Sequence, residues 1–181
     1  MTPLVQNFTT FFSLGIIATQ FFIVLILAGV LRKFAARYAF EIGFAISFAS
    51  ILTSLFYSNV AGFEPCEFCW WQRILLFPQA ILFAVALYYR NKNKNKKTDS
   101  FSASDSIVTT TSLAMSVIGA GLALFQYYGQ RFNPALLSAC VAHGASCTKL
   151  YFVSFGYITI PLMALTGFVL LIVVMLLSKK S

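Results

Sequence analysis

Five stretches of the chain are apolar on nearly every side, separated by short polar or turn-forming segments: Phe8–Leu31, Tyr38–Asn59, Trp70–Tyr89, Ile107–Tyr128 and Phe155–Leu177. Each has roughly the 20 residues that a helix needs to cross a hydrocarbon core. Helices of a water-soluble domain keep a polar face, and these stretches lack one. Helices also satisfy their own backbone groups in lipid, so the pattern predicts an all-α integral membrane protein with five spans. The first stretch fits a cleaved leader poorly. It is too long for an h-region, no basic residue precedes it, and Arg32-Lys33 follows directly, so it is expected to remain as a span.

Hydrophobic residues make up 59% of the 181 positions and charged ones 10%, which makes lipid the solvent for most of the chain. A formal charge of +8 would fit nucleic-acid binding in a soluble protein, but here the charges mark topology. Arg32, Lys33 and Arg37 lie between spans one and two; Arg90, Lys92, Lys94, Lys96 and Lys97 lie between three and four; Lys179 and Lys180 follow the last span. By the positive-inside rule these segments face the cytoplasm, with the N-terminus outside and the C-terminus inside. The polar, biased stretch Asn91–Ser106 is expected to be a flexible inner loop. Glu41, four residues after Arg37, is expected to pair with it.

On that topology Cys66 and Cys69 fall in one outer loop and Cys140 and Cys147 in the other, so all four face one compartment. Cysteines confined to the outer side fit an oxidising compartment. Cys66 and Cys69 form a CxxC that follows Pro65 and runs straight into a helix, whose N-terminus favours thiolate. The second pair would sit about 10 Å apart on a continuous helix, so the chain must turn if the two are to bond. His143-Gly144 is the expected turn, with His143 a loop residue, and Ala135–Ala139 before it is expected to form a short helix along the membrane surface.

Three readings of these cysteines stand side by side. Two structural disulfides would brace the outer loops of a transporter or channel subunit, although a CxxC bridge closes so small a loop that it constrains the unfolded chain little. A four-thiolate zinc site has CxxC spacing in its favour, and against it a gap of two membrane crossings between the pairs. Two exchanging disulfides would pass electrons from an external thiol protein to an acceptor in the membrane, which requires accessible pairs able to approach one another.

The residues resemble the disulfide bond formation protein B (DsbB) family and its BdbC-type members. The resemblance covers about Tyr38 to Leu177 and rests on Cys66-Glu-Phe-Cys69-Trp-Trp-Gln-Arg73, on a CxxC that precedes the second pair, and on Gly156-Tyr-Ile-Thr-Ile-Pro161 at the last helix. The vitamin K epoxide reductase family, related in chemistry, has the reverse cysteine order. The six-residue spacer between Cys140 and Cys147 is similar to the compact BdbC-type loop. The resemblance implies a four-helix redox domain over 38–181, with 1–37 an additional N-terminal transmembrane helix and cytoplasmic turn. It implies a multi-pass protein of the bacterial cytoplasmic membrane that reoxidises an extracytoplasmic DsbA-like thioredoxin-fold protein and passes the electrons to a quinone, ubiquinone or menaquinone.

Carried over residue by residue, the resemblance implies disulfides Cys66–Cys69 and Cys140–Cys147, and no metal. Cys140 would be attacked by the partner, Cys147 would engage Cys66, and Cys69 would be the thiolate beside the quinone. Arg73, four residues after Cys69 on the same helical face, would be the cation for thiolate and reduced quinone oxygens. Gln126 stands where family members often carry a histidine, and is expected to donate to a quinone oxygen through its amide. The first span has no counterpart in the four-helix members and is expected to pack around the bundle or bind a partner. Pro78 and Pro161 are expected to bend their helices, and Trp70 and Trp71 to anchor at the interface.

Overall fold

A computed structural model describes residues 3–92, 99–137, 140–142 and 145–180. Six α-helices follow in order: α1 (Pro3–Leu27), α2 (Arg32–Arg37), α3 (Ala39–Leu55), α4 (Glu67–Lys92), α5 (Asp99–Arg131) and α6 (Ile160–Lys180). All but the short α2 are long and apolar enough to cross a membrane, α3 being prolonged by a π-helical turn, Phe56–Val60. The remaining regular structure among the described residues is a 3-10 turn, Pro134–Leu137, and a two-residue ladder pairing Val141 with Ser146 and Ala142 with Ala145. The expected five-span, all-helical architecture is what the chain adopts.

Helices α3, α4, α5 and α6 close a four-membered bundle in which α3 also meets α6, while α1 leans on α6 from outside. The core lies along α6, whose Phe168, Leu170, Leu171, Val174 and Met175 are buried against Phe40, Phe83 and Ala123. Lipid tails are as apolar as leucine, so close packing rather than hydrophobicity must hold such helices together. Small residues provide it: a Cβ at Gly43 would reach the ring of Phe83 at 2.8 Å, and one at Gly119 would overlap the ring of Phe168. A polar clamp adds to this, since Ser112 and Ser116 of α5 both donate to Oε1 of the buried Gln79 on α4, at 2.8 and 3.0 Å.

Several boundaries differ from those expected, for local reasons. α1 stops at Leu27 because Gly29, at φ 86°, turns the chain in the left-handed region. α6 starts at Ile160, since Phe155 and Gly156 both take positive φ in a turn closed by paired backbone bonds between Ser154 and Ile158, each 2.9 Å. Pro161 therefore sits in the first helical turn, where its missing N–H costs nothing, and it has no preceding turn to bend; Pro78 does lie inside α4. Helix enters the expected inner loop from both sides, α4 through Lys92 and α5 from Asp99, with Arg90 and Asp105 3.9 Å apart across it. Residues 93–98 of that segment lie outside the described residues. Arg37 does not pair with Glu41, because the chain breaks helix at Tyr38 between them; its guanidinium lies over the Tyr38 ring at 5.8 Å.

Gly119→Val should lower stability by about 1–3 kcal/mol, the usual cost of overpacking, whereas Gly121→Val, whose Cβ meets nothing within 4 Å, should cost far less. Thermal unfolding of both variants in detergent micelles checks the difference.

Candidate functional site

The α3–α4 and α5–α6 connections meet at one end of the bundle. Phe63 stacks between Tyr57, at 5.6 Å, and Tyr151, at 4.4 Å, and the Tyr151 hydroxyl donates to the Glu64 carbonyl at 2.8 Å. Burial, and after it the charge of Glu64, holds the Tyr151 phenol above its ordinary range, so it remains a donor. Residues far apart in sequence thus pin the chain two positions ahead of the CxxC.

Cys66 occupies the position before the first residue of α4, and its carbonyl accepts from Trp70 N at 3.1 Å. Its sulfur stands at the helix start, where the backbone N–H groups of Phe68 and Cys69 favour its charged form. Cys69 stands three residues on, its Sγ 3.1 Å from that of Cys66. The sulfur–sulfur hydrogen bond, followed by burial, holds the Cys66 thiol well above the ordinary thiol range.

The second pair is disulfide-bonded, Cys140 to Cys147, with Cα atoms 5.6 Å apart. A bond here removes two of the four thiolates that a zinc site would need. The ladder brings the two cysteines together, but His143-Gly144, the expected turn, lies outside the described residues. The expected surface helix is instead the 3-10 turn, with residues 138–139 outside the described ones; Leu137 points inward against Gly129, fully buried. Leu137 then packs with Cys66, Cys140 and Cys147 in one apolar cluster. The two pairs, seventy residues apart in sequence, share a core. Within it Cys147 is 1% exposed and Cys140 9%.

Gln126 of α5 lies against the sulfurs. Its Nε2 donates to Cys66 Sγ at 3.2 Å and lies 3.6 Å from Cys69 Sγ, while its Oε1 accepts from Gln72 Nε2 at 2.9 Å. Both amides are buried, so this bond fixes which end of Gln126 faces the thiols. One turn on, Gln130 donates to the Cys147 carbonyl at 2.8 Å. The α5 helix therefore holds both pairs.

Arg73 does not reach for solvent. Its Nε donates to Ser54 Oγ at 2.7 Å, and one terminal nitrogen donates to the Ser54 carbonyl at 3.1 Å and to Ser58 Oγ at 3.0 Å. Trp70, expected as an interface anchor, lies under the guanidinium at 5.4 Å. The π-helical turn supplies part of this cradle through Ser58, whose hydroxyl also donates to the Ser54 carbonyl at 2.9 Å. A cavity of about 260 Å³ opens beside it, with Cys69, Gln72 and Arg73 at one end and apolar side chains of α1, α3 and α6 beyond; Cys66 does not line it.

Sequence reasoning found the cysteines, Arg73 and Gln126, and missed Gln72, Gln130, Ser54, Ser58 and Tyr151. The glutamines did leave a signal, because amides inside apolar spans are costly unless paired. The serines' role depends on how α3 packs on α4.

The family profile described as disulfide bond formation protein DsbB matches residues 36–178. Disulfide bond formation protein C of Bacillus subtilis is 33% identical over 136 residues, 74% of this chain and 87% of that protein. The probable disulfide formation protein of Chlamydia pneumoniae is 31% identical over 148 residues, 82% of this chain and 96% of its own length. The probable disulfide formation protein C 1 of Bacillus anthracis is 30% identical over 138 residues, 76% and 89% of the two chains. No solved structure matches.

Gln126→Leu should destabilise the protein by about 1–3 kcal/mol, because the buried Gln72 amide loses its acceptor. Adding Gln72→Leu should recover most of that loss, and a double-mutant cycle of unfolding midpoints in detergent measures it.

Proposed function

The chain belongs to the DsbB family of membrane disulfide formation proteins, and on that premise we propose that it draws electrons from a DsbA-like thioredoxin-fold protein through Cys140–Cys147 and Cys66–Cys69 to a membrane quinone. Family membership gives a multi-pass thiol oxidoreductase acting with a thiol–disulfide partner protein. It sets aside the transporter or channel subunit with bracing bridges. The observation that carries the finer reading is the division of labour within the CxxC: Cys69 and Arg73 line the cavity, whereas Cys66 is turned to the second pair.

The proposed sequence balances at each exchange. A thiolate of the reduced partner attacks Cys140 Sγ, the Cys140–Cys147 bond breaks, and Cys147 leaves as thiolate. The partner's second thiol then resolves the mixed disulfide, freeing the partner in its oxidised form. Electrons pass on when Cys147 attacks Cys66 Sγ and Cys69 leaves as thiolate, with Cys140 then closing on Cys147 to release Cys66. The greater exposure of Cys140 supports its place at the partner's side, and the shared cluster supports the Cys147–Cys66 step.

The cavity's residues fit a quinone: a fixed cation and an amide sit at one end, with an apolar channel beyond. A bound quinone would supply an acceptor for two electrons and two protons, after which Cys66 and Cys69 are again a disulfide. Arg73 stabilises negative charge on Cys69 and on the acceptor's oxygens, and is already oriented by Ser54 and Ser58. Gln126, expected to reach the quinone, instead has its donor committed to the sulfurs. Its proposed task is to hold the dithiol. The proposed orientation puts the cysteine end outside the bacterial cytoplasmic membrane, supported by the basic residues Arg32, Lys33, Arg37 and Arg90 around the opposite end.

Purified protein in lipid nanodiscs, given a reduced DsbA-like protein and menaquinone, should consume two thiols for each quinone reduced. Thiol loss that persists in Cys69→Ser would sink the reading. Arg73→Leu should lower the quinone-dependent rate on the order of 10²-fold without changing exchange between the partner and Cys140–Cys147, followed by acid quench and gel shift. Cys147→Ser leaves Cys140 as a free thiolate, which should open the disulfide of the oxidised partner and accumulate as a mixed disulfide with it.

A further inference from the structure

The cavity beside Cys69 is longer than a ring needs, and its long axis is defined by two helices. On α1 the lining residues Phe11, Gly15 and Thr19 recur every fourth position, and on α3 Ile46, Ser50 and Thr53 face them. Eight residues of helix correspond to about 12 Å of groove, running from Arg73 toward the middle of the bilayer. Ring contacts Phe8–Phe56, at 4.6 Å, and Phe12–Tyr57, at 6.2 Å, close its top. Below them α1 leans on α6 rather than on α3. Gly15 leaves the groove open, since a Cβ there would meet nothing within 4 Å. The DsbB-family match begins at residue 36, so this wall is built by a helix outside it.

We propose that α1 is the lateral wall of the acceptor cavity and that Gly15 keeps open a slot between α1 and α3 through which the prenyl tail of a lipid quinone leaves for the bilayer. The inference rests on the quinone reading above and deepens it: the extra helix selects for acceptors that carry a tail. The head end, with Cys69, Gln72 and Arg73, is polar, and the slot is apolar with small side chains. A prenyl chain needs such a passage, because 260 Å³ lies below the about 300–1,000 Å³ of ordinary ligand pockets. The tail must leave the protein, and α1 decides where.

Gly15→Leu tests this directly, since leucine is a better helix former than glycine and displaces no neighbour. In nanodiscs the variant should raise KM for a long-prenyl menaquinone by about tenfold or more, in line with the discrimination that a few methylenes give. KM for tail-less menadione should stay within about threefold. Equal changes for both acceptors, or none for either, overturn the inference while leaving the quinone reading intact. A wild-type protein that reduces neither acceptor overturns the quinone reading and this inference with it. A second measurement does not depend on the variant's folding: a quinone with a photoreactive diazirine in its tail should label wild-type α1 between Phe11 and Thr19. Labelling confined to α3–α6 would refute the slot.

Discussion

The site depends on one buried contact, the Gln72–Gln126 amide pair that presents an N–H to two sulfurs. Amides inside an apolar bundle must find partners, and these two find each other and the CxxC. That requirement sets α4 against α5 in a single register, because sliding either helix by a residue would strand both. It also places the thiols. Cys66 stands at the start of α4 and, with the Gln126 amide on its sulfur and Leu137 beside it, has few other positions open. Gln130, on the same face of α5, extends this control to the second pair through the Cys147 carbonyl.

Arg73 is governed by a second constraint. A guanidinium inside a span ordinarily reaches for headgroups, but three hydrogen bonds to Ser54 and Ser58 and the face of Trp70 hold it in place. Its cradle is the end of α3, Ser54 on the last α-helical turn and Ser58 on the π-helical turn that follows, so one helix orients the cation on another. Cys69 and Arg73 then share a cavity wall that Cys66 does not reach.

Much of this was legible in the sequence. Five apolar runs gave five helices, and Gly29 could have been read as the stop of the first. Phe155 could not have been foreseen, since a non-glycine residue at positive φ is held by tertiary contacts and not by local preference. Cys69 and Arg73 share a face because four residues make about one helical turn, a rule that needs no structure. The tasks of Ser54, Ser58 and Tyr151 depend on which helix or loop lies opposite, and spacing alone carries no such information. Gln126 shows the limit well: its register was visible, but its orientation is set by Gln72, one helix away.

The burial of Cys66 and Cys147 has a consequence for selectivity. Soluble thiols of low molecular weight abound wherever proteins are oxidised, and any that reached Cys69 directly would drain the acceptor pool without making a single protein disulfide. Of the second pair, Cys140 is the less buried, while Cys66 and Cys147 are packed with Leu137 behind it and Cys69 opens toward the cavity beside Arg73. On the proposed route, a donor must bring a surface that fits around Cys140 before it can deliver electrons. On that route the apolar cluster around the sulfurs would work as insulation around a conductor, keeping the current in the path that ends in a protein disulfide.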